Sequence, residues 1–137
     1  MTPNIHVDHV QLPIPVGGSA AARRFYELAL GLAERRDPLL DRPGTLRFDL
    51  GGQRLDLSEG HYIGVAPQAH LALQVHGLDA VVERLRRNGH PVDVARLSDG
   101  QVYTEDPFGN RIELMAAPEE PELHREPHPV SRLRISL

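Results

Sequence analysis

The sequence predicts an α+β fold in which two tandem βαβββ modules form one curved, mixed, cup-shaped sheet. Two observations lead to this fold class. Residues 52–57, Gly-Gln-Arg-Leu-Asp-Leu, match residues 109–114, Gly-Asn-Arg-Ile-Glu-Leu, in residue type at every position. A stretch with a histidine and alternating apolar residues lies upstream of each, at 9–12 and 70–75. Such a repeat makes corresponding positions of the two halves structurally equivalent.

Each half is predicted to begin with a strand that starts at its histidine and to continue into a helix. In the first half Ser19 is the expected N-cap of a helix that runs to about Leu30, with Gly31 as its C-terminal stop. In the second half we expect Asp79 to cap a helix that Asn88-Gly89 ends.

Three short strands are expected after each helix. They are predicted near 33–36, 45–50 and 53–58 in the first half, and near 91–96, 101–105 and 111–115 in the second. Gly51-Gly52 suits a two-residue hairpin turn, and 106–110 suits a longer loop with a rigid start and a permissive end. The turn lengths make Arg47 the cross-strand neighbour of Asp56. They likewise place Tyr103 opposite Glu113 on the last hairpin.

The chain of 137 residues is expected to form a single domain, with 40% hydrophobic and 25% charged residues. Module one is expected at about 5–58, a linker at 59–69, module two at about 70–115 and a tail at 116–137. The tail ends with alternating apolar residues, which predicts a half-buried strand that packs on the cup or on a second subunit; the alternative is a disordered end.

Composition and charge exclude several classes of function. The chain has no cysteine, which rules out disulfides and sulfur-ligated metals. The net charge is −4, the arginines are scattered and tryptophan is absent, so we expect no nucleic-acid partner. No apolar run is long enough to span a bilayer and no signal peptide is evident, so we expect no membrane association and a cytoplasmic location.

Strand parity separates two faces of the predicted sheet. The helix-facing side is expected to carry Val10, Leu12, Leu55, Leu57, Leu71, Leu73, Val75, Ile112 and Leu114. The opposite face is expected to carry His9, Gln11, Arg54, Asp56, His70, Gln74, Arg111 and Glu113. A polar face with two histidines flanked by apolar residues indicates the lining of a cavity.

His9, His70 and Glu113 are the predicted metal ligands on that face. Two imidazoles and one carboxylate suit divalent iron, manganese, nickel or zinc and leave positions open for water and substrate. The alternative is that both histidines are ordinary core residues. Asp56 is a weaker fourth candidate, because Arg47 opposite is expected to neutralise it and because aspartate is one methylene shorter than glutamate.

Tyr103 is expected beside the metal, because it pairs with Glu113 across the last hairpin. It would act either as a hydrogen-bond donor to substrate or as a wall residue. The remaining histidines have no partner at a ligand spacing and are expected to be solvated: His6, His61, His76, His90, His124 and His128.

Several stretches of the sequence together resemble the vicinal oxygen chelate superfamily. This superfamily includes glyoxalase I, fosfomycin-resistance and bleomycin-resistance proteins, and extradiol dioxygenases. The resemblance covers about residues 5–115. It is carried by 6–13, 22–27, 30–32, 69–73 and 106–114. It implies that the first-strand histidine, the fifth-strand histidine and the eighth-strand glutamate bind the metal, which are His9, His70 and Glu113 here. Glyoxalase I-like members add a fourth-strand carboxylate, where this chain has Asp56.

The resemblance also implies a metal-dependent lyase, isomerase or dioxygenase that holds a small oxygenated substrate by bidentate or oxyanion coordination. Tyr103, from its expected position beside the metal, is a candidate proton donor. The resemblance implies a homodimer, in which cups are commonly completed by swapped halves. Two alternatives stay open. One is a non-catalytic dimer that sequesters a ligand, as bleomycin-resistance proteins do, and the other is a thiol transferase of the fosfomycin-resistance type.

Overall fold

The computed structural model describes residues 5–62, 64 and 68–118 of the chain. Over these ranges the fold is α+β, which confirms the predicted class. Within the same ranges no helix combines the length and the apolar character needed to traverse a bilayer.

Both halves begin with a strand and a helix and end with two strands, and the second half adds a short strand and a 3₁₀ turn between them. The first half contains β1 (His9–Pro15), α1 (Ser19–Arg23, continued as a π-helix over Arg24–Ala29), β2 (Thr45–Leu50) and β3 (Gln53–Gly60). The second half contains β4 (His70–Val75), α2 (Leu78–Arg87), β5 (Val92–Asp93), a 3₁₀ turn (Leu97–Asp99), β6 (Gln101–Glu105) and β7 (Arg111–Ala116).

The α+β class is confirmed, but the strands form two hydrogen-bonded mixed sheets, one in each half, rather than the single curved sheet predicted. Their orders are β1-β3-β2 and β4-β7-β6-β5. In each sheet the first strand of the half pairs in parallel with its last strand, and the last strand pairs antiparallel with the strand before it. The predicted hairpin registers are confirmed, with Arg47 opposite Asp56 and Tyr103 opposite Glu113. β1 and β4 therefore each lie at the edge of a sheet.

Two predicted strands are wrong in extent. The expected strand at 33–36 is a single bridge between Glu34 and Phe48. The expected strand at 91–96 is reduced to the two residues of β5, because the Asp93 carboxylate accepts the Ala95 amide at 3.0 Å and starts a turn. A short polar side chain that bonds to the backbone in this way competes with a strand ladder.

Both predicted helix caps are also wrong. The N-caps are Gly18 and Gly77, and neither helix has a side-chain cap. Ser19 instead donates its hydroxyl to Glu59 at the end of β3, which also accepts the Gly17 amide at 2.8 Å. These bonds, that of Ser19 first, hold the pKa of Glu59 below its usual value. Ser19 therefore attaches the start of the first helix to β3, through a residue 40 positions later in the chain.

The predicted helix ends are confirmed, and a contact between the halves reinforces one of them. Gly31 has a φ of +86°, a left-handed conformation that suits glycine. Arg84 on α2 donates to the carbonyls of Ala29 and Leu30 at 3.1 and 3.2 Å. A guanidinium is favourable there, because it satisfies terminal carbonyls and opposes the negative end of the helix dipole.

The apolar core is continuous across the two halves and follows the predicted parity. Leu55, Leu57, Ile112 and Leu114 are fully buried, and the other predicted apolar-face positions are partly buried against them. The helices contribute residues at helical spacing: Ala22, Phe25, Tyr26 and Ala29 from the first helix, and Leu78, Val81, Val82 and Leu85 from α2.

A buried hydrogen bond joins the first helix to the last hairpin. Tyr26 donates its hydroxyl to Asp106 Oδ2 at 2.6 Å. The other oxygen, Oδ1, accepts the Phe108 and Asn110 amides at 2.9 and 2.8 Å, while the Asn110 side chain donates to Oδ2 at 2.7 Å. Burial first, then the Asp106 charge, raises the pKa of Tyr26 well above its usual value, so Tyr26 remains the donor.

Tyr26→Phe should lower the free energy of unfolding by about 1–3 kcal/mol, because a buried carboxylate oxygen then loses an O–H donor. Urea unfolding followed by circular dichroism measures the loss. Tyr103→Phe is the matched control, since Tyr103 is only half-buried, and it should change stability by less than about 0.5 kcal/mol. Equal losses for the two variants would contradict this role of Tyr26.

Candidate metal centre

The second half brings together His70 of β4 and Glu113 of β7. The parallel register places His70 opposite Arg111 and Glu113 opposite Ala72. His70 Nε2 lies 3.3 Å from Glu113 Oε1. Two metal bonds of about 2.0–2.1 Å at a tetrahedral angle separate their ligand atoms by roughly 3.4 Å. The donor atoms of this pair therefore fit one metal ion.

Gln101 on β6 holds the carboxylate of this pair in place. Its side-chain amide donates to Glu113 Oε2 at 2.9 Å and leaves Oε1 directed at His70. Hydrogen bonds of this kind orient metal ligands. The sequence interpretation missed Gln101, although its parity matches that of Tyr103, two positions along the same strand.

The first half contains an equivalent pair with a longer separation. His9 Nε2 lies 3.9 Å from Asp56 Oδ2. The other ring nitrogen of His9, Nδ1, lies 2.8 Å from the carboxylate of the exposed Asp8. This bond with His9 lowers the pKa of Asp8. His9 thus presents Nε2 to Asp56 while Asp8 orients its ring.

Asp56 is neutralised by a different arginine from the one predicted. Arg54, two residues earlier on β3, donates to Asp56 Oδ1 from Nε at 2.6 Å and to Oδ2 from Nη2 at 3.0 Å. Arg47 lies opposite Asp56 in the register but binds Asp41 instead, at 2.5 Å. The expectation failed because Asp41, in the loop before β2, lies within reach of Arg47.

The four ligand candidates occur as two separate pairs within one chain. Among residues 5–62, 64 and 68–118, no three side chains of His, Cys, Asp or Glu are grouped closely enough to hold a metal ion. His9 accordingly lies with Asp56, and His70 lies with Glu113. Each pair combines an imidazole with a carboxylate, and these donor types suit a divalent transition metal.

Tyr103 occupies the predicted position opposite Glu113 and contacts an arginine there. The guanidinium carbon of Arg111 lies 5.8 Å from the centre of the Tyr103 ring. This distance is within the range of cation–π attraction. Tyr103 therefore attracts the positive charge of Arg111 on the same face as Glu113.

The other histidines divide between exposed positions and one partly buried ring. His6, His61 and His76 are exposed, as predicted. His90 is not: its ring packs edge-on against Phe25 at 5.0 Å, and its Nε2 is buried without a hydrogen-bond partner among the described residues. Its position directly after α2 places it over the shared core. His124, His128 and the predicted tail strand lie outside the described residues.

Two cavities lie where the two sheets approach each other through β1 and β4. The larger, of about 720 Å³, has mostly apolar walls that include Val10, Leu50 and Leu73. The smaller, of about 250 Å³, lies between Val10 of β1 and His70 and Arg111 of the second half. The second cavity gives the His70 side of the candidate centre an adjacent space.

Two βαβ-type halves, each with a histidine and a carboxylate on the polar face of its sheet, define an α+β protein of paired modules. The family model described as the Glyoxalase/Bleomycin resistance protein/Dioxygenase superfamily matches residues 6–114, and the chain belongs to this superfamily. A comparison with curated proteins gave no match.

Solved structures support the same assignment. A glyoxalase family protein from Bacillus anthracis is 35% identical, with a TM-score of 0.70 over 85% of this chain and 98% of that one. Fosfomycin resistance protein FosX from Mesorhizobium loti shares 15% identity, with a TM-score of 0.61 over 97% and 98%. TnmS3, an antibiotic binding protein from Streptomyces sp. CB03234, shares 22%, with a TM-score of 0.64 over 85% and 98%. At these low identities, the likeness to FosX and TnmS3 is a likeness of fold.

His90 should make stability depend on pH. Burial first, then the charge of Arg24, lowers the pKa of His90 below the usual value of 6.5. The unfolded chain binds that proton more readily, so the free energy of unfolding decreases as the pH falls through about 6.5. His90→Gln should reduce this decrease, measured by urea unfolding between about pH 7.5 and 5.5. His76→Gln is the exposed control, and an equal reduction in both variants would contradict the prediction.

Proposed function

We propose that the protein is a metal-dependent enzyme that binds a small oxygenated substrate through neighbouring oxygen atoms. His70 and Glu113 supply two protein ligands and His9 supplies the third. The observation that carries the proposal is the His70–Glu113 pair, whose donor atoms are 3.3 Å apart while Gln101 holds the second carboxylate oxygen. These residues would hold a divalent metal ion, which would supply Lewis-acid polarisation of a substrate oxygen.

His9 reaches the pair from a second copy of the chain. In one chain the shared core and the Tyr26–Asp106 bond fix the two halves relative to each other. Those contacts keep His9 beside Asp56 rather than beside His70. A symmetric dimer that sets the polar face of the first half of one copy against that of the second half of the other would place His9 of one copy beside His70 and Glu113 of the other, and it would do so twice because such an interface is isologous.

The polar face orients the substrate around these ligands. Tyr103 lies opposite Glu113 on the same face of the sheet, and it is our candidate for the proton donor to a developing oxyanion. Arg111 carries a positive charge beside His70 in the smaller cavity, which favours substrates with an anionic oxygen.

Ligand sequestration is a second candidate function. The cavity of about 720 Å³ with apolar walls favours it, because clefts of this size bury most of a drug-sized molecule. Sequestration does not require the His70–Glu113 pair. A ligand that binds Glu113→Gln and wild type equally and is recovered unchanged would favour this function over catalysis.

Metal titration tests the leading proposal. Metal-free wild-type protein, titrated separately with Zn²⁺, Mn²⁺, Ni²⁺ and Fe²⁺, should bind at least one of them stoichiometrically in calorimetry. Glu113→Gln should weaken this binding by more than the roughly 10–100-fold that loss of an outer-shell partner costs. Glu105→Gln, an exposed carboxylate on the preceding strand, is the matched control and should bind like wild type. If wild type binds none of these metals, the proposal is wrong.

Mixing two inactive variants tests the shared site. His9→Ala and Glu113→Gln each damage every site in their own dimers. In a refolded equimolar mixture, each mixed dimer regains one intact site if His9 acts on the other copy, so about a quarter of the wild-type metal capacity should return. Recovery of none would place all three ligands in one chain.

A further inference from the structure

We propose that two arginines decide which half of the protein supplies the carboxylate ligand. Arg54 withholds Asp56 from the metal, whereas Tyr103 draws Arg111 away from Glu113 and leaves that carboxylate free. This inference rests on the proposed function, because it assigns roles toward the metal of the same site. It makes Arg54 and Tyr103 positioning residues.

The two arginines occupy equivalent positions of the repeat. Arg54 precedes Asp56 by two residues on β3, and Arg111 precedes Glu113 by two residues on β7. Residues two apart on a strand share a face, so each arginine is able to reach its own carboxylate. If the sequence repeat alone decided the contacts, each arginine would therefore contact its own carboxylate in the same way in both halves.

The first half has the closed arrangement. Both carboxylate oxygens of Asp56 accept a bond from Arg54, at 2.6 and 3.0 Å. A bidentate guanidinium–carboxylate pair is among the stronger polar contacts in proteins. The closest approach of Asp56 to His9 Nε2 is 3.9 Å, which is longer than the spacing of the His70–Glu113 pair.

The second half has the open arrangement. Arg111 lies over the Tyr103 ring and forms no ion pair within the described part of the chain. Glu113 is bonded through Oε2 to the neutral amide of Gln101, and its Oε1 approaches His70. The same Arg-x-carboxylate spacing thus produces a free ligand atom here and none in the first half.

The residue opposite each carboxylate explains the difference. Tyr103 stands opposite Glu113 and offers a ring face that attracts a guanidinium by about 0.5–1 kcal/mol at exposed sites. Arg47 stands opposite Asp56, offers no such surface and repels a second guanidinium. Arg54 consequently turns to Asp56, while Arg111 turns to Tyr103.

The consequence is a site with three protein ligands. Two histidines and one carboxylate leave more open positions on a divalent metal than a four-ligand set does. A substrate that binds through two oxygens then leaves room for a third small ligand, such as water or a co-substrate. Arg54 in this way limits the number of protein ligands to three, whereas the sequence alone does not decide whether Asp56 is a fourth.

The first test removes Asp56 or its arginine and measures Zn²⁺ affinity by calorimetry. Asp56→Asn should bind Zn²⁺ within about threefold of wild type, because Asp56 is not a ligand. Arg54→Gln should bind Zn²⁺ about tenfold more tightly, because the freed carboxylate becomes a fourth ligand. The double variant Arg54→Gln with Asp56→Asn should return to the wild-type affinity. A loss in Asp56→Asn as large as that in Glu113→Gln would overturn the proposal.

The second test uses Tyr103 and is independent of whether Arg54→Gln folds. Tyr103→Leu removes the ring that holds Arg111, so Arg111 binds Glu113 and Zn²⁺ affinity should fall about tenfold. Tyr103→Phe keeps the ring and should bind like wild type. Adding Arg111→Gln to Tyr103→Leu should restore affinity. Failure of this restoration would overturn the role of Tyr103, even when wild type binds Zn²⁺ normally.

The absorption spectrum of the Co²⁺-substituted protein separates failure of the inference from failure of the proposed function. Wild type and Asp56→Asn should give the same visible bands, and Arg54→Gln should give different ones, because the bands report the ligand set. Bound Co²⁺ with identical bands in all three proteins would contradict the inference alone. If wild type binds neither Co²⁺ nor any of Zn²⁺, Mn²⁺, Ni²⁺ and Fe²⁺, the proposed function and the inference are both wrong.

Discussion

The parallel pairing of the first strand of each half with its last strand is the constraint on which the rest of the structure depends. β1 pairs with β3, and β4 pairs with β7, so the first and last strands of each half are neighbours in one sheet. This pairing brings a histidine and a carboxylate that are 47 and 43 positions apart, respectively, onto one face. Without the register of these parallel pairs, neither histidine–carboxylate pair would exist.

A second constraint is the attachment of the halves to each other. The core is continuous between them, Tyr26 donates to Asp106, and Arg84 binds the carbonyls at the end of the first helix. These contacts involve the helix-facing sides of the sheets, so they leave the polar faces free. Among the described residues, the first strand of each half has one edge without a partner strand, and edge strands offer backbone groups that another chain can pair with.

The two halves have the same fold but differ in the chemistry of their carboxylates. A repeated sequence supplies both with an arginine and an acidic residue at the same spacing. A single cross-strand position, occupied by Arg47 in one half and by Tyr103 in the other, separates the two outcomes. In the proposed metal site, a few side chains on the superfamily fold would set the ligand number, and with it the reactions that the site admits.

The sequence by itself determined the repeat, the face of each strand residue and the hairpin registers, because side-chain alternation and turn length are local properties. It therefore placed His9, His70, Glu113 and Asp56 on the polar face. Only the tertiary structure decided the partner of each arginine, the glycine N-caps and the division of the ligands into pairs. Asp41 lies in the loop before β2, and the path of that loop brings it to Arg47 and leaves Asp56 to Arg54. Contacts of this kind depend on how loops and halves pack, and no local rule contains that information.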